Sequence, residues 1–325
     1  MEIKNNDKKY PEILNMFTVK ISNDGKSKDT CNCYKLWLYN FIQFQKSIKY
    51  KCSKNKAVSE IDISEIKNSL FKKINLDDID KYKDYLKNVR GNNGNSINRK
   101  LGSIMTFFKF LMQKKIIIVN IMKEADYVKQ SQKVRRPLTK DQVERLLRTI
   151  KESKNRFRYR DTFLFKLFIE LSCRETELTL LTLDRVEDNC FLLHGKGDKA
   201  RTAYLSKTSI VQLKEYMKYR SEYIKKNHIV SNYLFVSQQG NNLSPSTVLQ
   251  MLKEYATKAG LDANKIYPHI LRHTGLTLLY KNNVDIKTIQ EIAGHKNIAT
   301  TKIYVTLDTN EENKMNAANS VILSF

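Results

Sequence analysis

The chain has 325 residues, 58 of them Lys or Arg and 34 Asp or Glu, which gives a net charge of +24. Hydrophobic residues at 41% and aromatics at 10% supply apolar surface for a buried core, which excludes a disordered or collagen-like chain, and the length suits two domains. No apolar run approaches the ~20 residues of a membrane span, and the start MEIKNNDKKY lacks the apolar stretch of a signal peptide. A soluble, cytoplasmic protein without membrane contact is expected.

So much positive charge calls for an anionic partner. Residues 1 to 130 carry 26 basic and 14 acidic side chains and residues 131 to 325 carry 32 and 20, so each part holds +12. An even spread suits a clamp of two basic lobes on nucleic acid better than a basic tail. The plainer alternative is a composition simply rich in Lys, Asn and Ile. Cys31, Cys33, Cys52, Cys173 and Cys190 form no CxxC pair and no Cys/His cluster at zinc spacing. Free thiols in a reducing compartment are expected, with no metal and no cofactor.

A mainly α-helical reading follows along the chain. Thr30 is placed to cap a helix through CNCYKLWLYNFIQFQKS, where Tyr34, Trp37, Leu38, Phe41 and Phe44 recur at three- and four-residue steps. Periodic stretches at 62–74, 77–89 and 96–115, the last two separated by the turn signal GNNGN at 91–95, complete a four-helix lobe. In the last stretch Arg99, Lys100 and Lys109 lie among Leu101, Ile104, Phe107, Phe108 and Leu111, so one face packs while the other meets phosphates.

Residues 128–137, VKQSQKVRRP, are polar and basic and end in proline, and they read as a linker between a helical domain at 1–127 and a second domain at 138–325. Thr139 and Gln142 form a capping box at the start of the next helix. DTFLFKLFIEL (161–171) reads as a buried helix broken at Ser172 and Cys173, with ETELTLL resuming it, so Arg174 sits at an elbow. FLLHGKGDKARTAYL (191–205) is a β-hairpin signal with Lys196 at its tip. Helices at 208–219, 246–259, 269–282 and 285–294 and a stretch around 299–307 finish the chain.

In His269-Ile-Leu-Arg272 two polar side chains three residues apart share a helix face, which offers a base and a cation together. Twenty-six residues after His269 comes Gly294-His295, and nine residues further on comes Tyr304. Taken alone, Arg174 is as well explained as a cap or ion pair at a helix elbow, Lys196 competes with Lys199, and Tyr304 is one of 17 tyrosines.

The ordered set of LTKDQVERLL, SCRETELTLL, HGKGDKART, HILRHT and IAGHKNIATTKIY resembles the tyrosine recombinase, or phage integrase, family across residues 137–306. SINRKLGSIMTFFKFLMQKK is similar to the end of that family's N-terminal core-binding domain. The resemblance implies a SAM-like helical core-binding domain followed by an α-helical catalytic domain with a small β-hairpin. It also implies a site-specific recombinase that cleaves and rejoins DNA through a 3′-phosphotyrosine and a Holliday junction.

The chemistry suits the residue types. Transesterification needs a nucleophile, cations for the charge building on the phosphate oxygens, and a proton for the departing sugar oxygen. A phenol with an ordinary pKa near 10 needs a base or cations nearby, and two arginines offer planar forks to phosphate without a metal. By resemblance, Tyr304 is the nucleophile, Arg174, Arg272 and His295 hold the phosphate, Lys196 is the general acid, His269 takes the tyrosine proton, and Glu177 supports Arg174. Lys199 and Arg201 beside the hairpin tip and His273 beside Arg272 are read as DNA contacts, His273 alternatively as structural. Cys173 and Ser172 stand where many relatives have Gly-Leu, and Gly275 stands where a large apolar residue often follows the His-x-x-Arg box.

With about eight residues before the first element, a separate arm-type domain has no room, so the Xer-like two-domain form is expected, acting as resolvase, invertase or mobile-element integrase. The tail NKMNAANSVILSF ends in Val321, Ile322, Leu323 and Phe325, which in the family docks on the adjacent subunit of a homo-tetramer holding two inverted-repeat DNA sites; packing on its own domain is the alternative. An accessory protein is a further expected partner. A non-catalytic DNA binder and a type IB topoisomerase or telomere resolvase are the rival functions.

Overall fold

The computed structural model describes residues 10–50, 57–129, 136–195, 200–295, 297–298 and 300–301. The chain divides into two compact units, Met1–Gln132 and Lys133–Phe325. Most of the linker expected over 128–137 lies outside the described residues. Among the described residues no helix is long and apolar enough to cross a membrane.

Among the described residues the first unit holds the α-helices α1 Glu12–Asn23, α2 Lys28–Lys49, the single turn α3 Ser69–Lys72, α4 Leu76–Asp84 and α5 Gly94–Gln113. Helix α1, absent from the four-helix expectation, buries Ile13, Leu14, Phe17 and Ile21, at steps of one, three and four residues that make one apolar stripe. Ser27, not Thr30, caps α2: its hydroxyl accepts from the Thr30 N–H, and the acidic Asp29 strengthens the first turn. The helix expected over 62–74 shrinks to α3. There the Asp62 carboxylate accepts from both the N–H and the hydroxyl of Ser64, a local bond that competes with helix, while Ile61 and Ile63 are buried from an irregular segment.

Helix α4 starts with a full capping box between Asn75 and Asp78 and runs into a π-helical turn at Tyr85–Val89. Phe17, Phe41, Phe71, Phe107 and Phe108 fill the core, with Phe17 edge-on to Phe107 at 5.2 Å. On α5, Arg99 and Lys109 stay exposed, whereas Lys100 is half-buried and donates to Asn92 Oδ1.

The second unit contains α6 Lys140–Lys151, α7 Arg158–Glu170, α8 Glu175–Thr179, the antiparallel pair β1 Cys190–His194 and β2 Ala200–Tyr204, then α9 Lys207–Lys226, α10 Pro245–Lys258, α11 Pro268–Lys281 and α12 Ile286–Ala293. The Thr139–Gln142 capping box is in place at 3.0 and 3.2 Å. Helix α7 is central and buries residues around most of its circumference, including Phe163, Leu164, Phe165, Leu167 and Phe168, with α6, α9 and α11 packed on it.

Two devices position the site on this scaffold. Two residues beyond the end of α7, Ser172 takes a left-handed φ of 47° and its hydroxyl donates to the Ile169 carbonyl at 3.1 Å, so the chain turns sharply before Arg174. Helix α11 lies so close to this turn that a Cβ on Gly275 would stand 2.0 Å from the Ile169 carbonyl oxygen. A large residue at 275 has no space here, which accounts for the departure from the usual apolar residue.

Candidate active site

Arg174 is the residue at the start of α8, and Glu177, in its first turn, reaches back to it. The Glu177 carboxylate accepts the Arg174 backbone N–H at 2.9 Å and pairs with Arg174 Nη1 at 2.7 Å. Its second oxygen also receives Arg201 Nη2 at 2.8 Å. Glu177 is buried, so one carboxylate with two guanidinium groups replaces the water it has lost.

Arg201 comes from β2, paired with Leu193 across the hairpin. Along β2 it shares the inward face with the buried Ala203, while Thr202 and Tyr204 face out. The hairpin is therefore fastened to the Arg174 elbow by an ion pair, and Arg201, expected as a DNA contact, is engaged inside the site.

Arg272 and His295 arrive from the other side. Pro268 opens α11 at a position where its missing N–H costs nothing, and four residues on, Arg272 is buried to 2% exposure. Helix α12 ends at Gly294 in the left-handed conformation, φ 61° and ψ 42°. The last carbonyls of α12 then accept both arginines: Arg272 Nη2 donates to Ala293 O at 2.7 Å and Arg174 Nη2 to Gly294 O at 2.8 Å. A helix C-terminus is the negative end of the helix dipole, so two cations at this end are electrostatically matched to it. Gly294 also permits the close approach, since a Cβ there would lie 3.3 Å from Arg201 Nε and 3.5 Å from Arg174 Nη1.

His295 Nε2 meets Arg272 Nη2 at 2.9 Å, and Nδ1 meets the Thr301 hydroxyl at 2.9 Å. Burial, then the positive charges of Arg272, Arg174, His269 and Arg201, pull the His295 pKa down to about 4, so the ring is neutral at pH 7. Exposed His269 thus belongs to the same electrostatic cluster. Cys173, next to Arg174, is buried, and burial followed by the Glu177 charge raises its thiol to about 12, which leaves it inert.

Of the residues expected from the sequence, Arg174 with Glu177 and Arg272 with His295 form two bonded pairs that meet at the Ala293 and Gly294 carbonyls, with His269 in the same electrostatic cluster. His273 is buried and bonded to Thr277, the surroundings of its structural alternative. Lys196, Lys199, Tyr304 and the tail at 313–325 lie outside the described residues. Three participants were not foreseen: Arg201 as partner of Glu177, Thr301 as partner of His295, and the α12 carbonyls. The alternation of Arg201, Ala203 and Leu205 with Thr202 and Tyr204 was the available signal for the first.

The phage integrase family model matches residues 136–311. Tyrosine recombinase XerC of Caldanaerobacter subterraneus subsp. tengcongensis is 33% identical over 308 residues, 93% of this chain and 85% of that protein. Tyrosine recombinase XerD of Listeria monocytogenes serotype 4b is 29% identical over 216 residues, covering 66% and 72%. Among solved structures, the XerH site-specific recombinase bound to difH substrate aligns with a TM-score of 0.64 at 24% identity, over 85% of this chain and 76% of that one. The Tn1549 transposon integrase in complex with transposon right end DNA aligns at 0.69 with 17% identity, over 94% and 98%, and these two share the fold. The match over more than half of the chain, together with the XerC relative spanning nearly all of it, shows that the chain belongs to the phage integrase family of tyrosine recombinases.

Proposed function

We propose that this chain is a Xer-like recombinase of DNA in the bacterial cytoplasm, in which Tyr304 attacks a phosphate held by Arg174, Arg272 and His295. The observation that carries this reading is the convergence of two guanidinium groups and a neutral imidazole on the C-terminal end of α12. Each guanidinium has five N–H donors in a plane. With one edge fixed on a backbone carbonyl, the plane is oriented before DNA arrives, and little reorganisation is needed as charge builds on the nonbridging oxygens.

The step balances without a cofactor. The Tyr304 oxygen bonds to phosphorus as the bond to the 5′ oxygen breaks, His269 accepts the phenolic proton, and Lys196 gives a proton to the departing 5′ oxygen. The 3′-phosphotyrosine conserves the ester for attack by a 5′-hydroxyl of the partner duplex, and two such exchanges make and resolve a Holliday junction. Glu177 and Arg201 hold Arg174 without touching the phosphate.

Four copies on two inverted-repeat sites, linked by tail residues 318–325 docked on the neighbouring copy, complete the reading, with an accessory protein as a further partner. Its test is capture of detergent-resistant protein–DNA adducts from fragmented host DNA. Wild type should trap fragments clustered at one inverted repeat and Tyr304→Phe none. Equal trapping by both, or fragments without a shared site, would overturn it. Removal of residues 318–325 should spare single-site binding and impair pairing of two sites on native gels.

A further inference from the structure

We propose that Thr301 is a positioning residue whose hydroxyl holds the His295 ring whichever ring nitrogen carries the proton, and so ties the segment bearing Tyr304 to the phosphate site. The inference deepens the recombinase reading above and rests on it.

Arg272 has only N–H groups to offer. Where its Nη2 meets His295 Nε2 at 2.9 Å, the imidazole nitrogen must be the acceptor. A neutral imidazole carries one proton, so that proton stands on Nδ1 and is donated to Thr301 Oγ1 at 2.9 Å. Burial and the neighbouring charges of Arg272, Arg174, His269 and Arg201 keep the ring neutral at physiological pH.

An arriving phosphate reverses the demand on the ring. To hydrogen-bond a phosphate oxygen, Nε2 must donate, which requires a proton on Nε2 and leaves Nδ1 as an acceptor. A hydroxyl is both donor and acceptor. Thr301 serves the second arrangement by rotating its O–H toward Nδ1, with no heavy atom moved; one proton leaves Nδ1 to solvent and one enters Nε2 from solvent. Backbone amides, carbonyls and carboxylates lack this two-way capacity.

Thr301 is itself fixed. It is fully buried, and its backbone N–H donates to the Ile298 carbonyl at 2.8 Å. Its neighbour Thr300 is exposed. Tyr304 follows Thr301 by three residues, so their Cα atoms are separated by at most ~11 Å of extended chain. Anchoring Thr301 on His295 therefore limits the space the nucleophile searches.

The experiment has two arms, run on the full chain. Proton-detected nitrogen spectra of 15N-histidine protein, assigned with His295→Asn, should show a protonated Nδ1 for His295 in DNA-free wild type at pH 7. Its proton should be protected from exchange in wild type and Thr301→Ser and lose protection in the isosteric Thr301→Val. A protonated Nε2 in wild type, or unchanged protection in Thr301→Val, overturns the inference.

The second arm is single-turnover cleavage of a nicked recombination site. Groups that orient a functional histidine are commonly worth ten- to a hundredfold. Thr301→Val should slow cleavage by about that factor with unchanged half-saturation by DNA, while Thr301→Ser stays within about threefold of wild type. Cleavage by Thr301→Val at the wild-type rate, or equal loss in Ser and Val, contradicts it. Absence of adducts from wild type itself would sink the recombinase reading instead, and the spectroscopic arm still decides the Thr301 contact.

Discussion

Gly275 on α11 faces the carbonyl of Ile169 on α7 so closely that a Cβ would stand 2.0 Å from its oxygen and 2.4 Å from Ser172 Oγ. Helix α7 leads into the Arg174 elbow and α11 carries Arg272, so this contact sets the spacing of the two arginines proposed to hold the phosphate. Gly275→Ala gains up to about 1 kcal/mol of helix propensity but forces the helices apart, an overpacking cost of roughly 3 kcal/mol. The net loss of about 2 kcal/mol should lower the melting temperature by roughly 4–8 °C in a domain of this size. A Tm at or above that of wild type by calorimetry would show that the helices separate freely.

Glu177 holds Arg174 and Arg201 through its two oxygens at 2.7 and 2.8 Å. Glu177→Gln keeps the shape but removes the charge between two guanidinium groups, so Arg174 should drift from its place. A shift of about 1 Å in such a group is enough for a roughly hundredfold loss of rate. Quenched-flow cleavage of pre-bound DNA should show that loss with little change in DNA affinity. A large fall in affinity with normal cleavage would instead make Arg174 and Arg201 mere DNA anchors.

His295 titrates near 4 in the fold and near 6.5 when unfolded. Between these values the unfolded chain binds the extra proton, so the stability this group contributes is complete above about pH 6.5 and is lost as pH falls toward 4. Urea midpoints at pH 7.5 and 5.0 should therefore diverge more for wild type than for His295→Asn. An equal drop in both proteins would mean that the ring takes up its proton without penalty.

On α5, Arg99 and Lys109 are exposed, while Lys100 is half-buried, with its pKa lowered by burial and by the nearby Arg90. Each cation that neutralises a phosphate contributes about one unit to the slope of log affinity against log salt. Substituting alanine at both Arg99 and Lys109 should flatten the slope by about two, and Lys100→Met by less than one. Fluorescence anisotropy across a salt series measures this directly, and an unchanged slope in the double variant would remove α5 from the interface.

Features set by neighbours in sequence were legible: the Thr139–Gln142 capping box, the strands of the hairpin and the elbow at Arg174. The apolar spacing over 62–74 fits a helix, while the Asp62 bond to Ser64 favours a turn that periodicity does not register. Long-range partners left weaker marks. The sharing of Glu177 by Arg201, the grip of the α12 carbonyls on two arginines, and the Thr301 bond to His295 depend on backbone oxygens and on strand facing, which residue type alone does not encode. The motifs single out Arg174, Glu177, Arg272 and His295, and the fold explains how these four are held.

Tyr304 is the proposed nucleophile. Trypsin cuts after Lys302 and Lys314, giving the peptide 303–314, whose single tyrosine is Tyr304. Wild-type protein should be trapped on a nicked site, digested with nuclease and trypsin, and examined by mass spectrometry. A nucleotide remnant on Tyr304 of that peptide is the predicted result. A remnant on any other peptide, or adducts persisting in Tyr304→Phe, would contradict it.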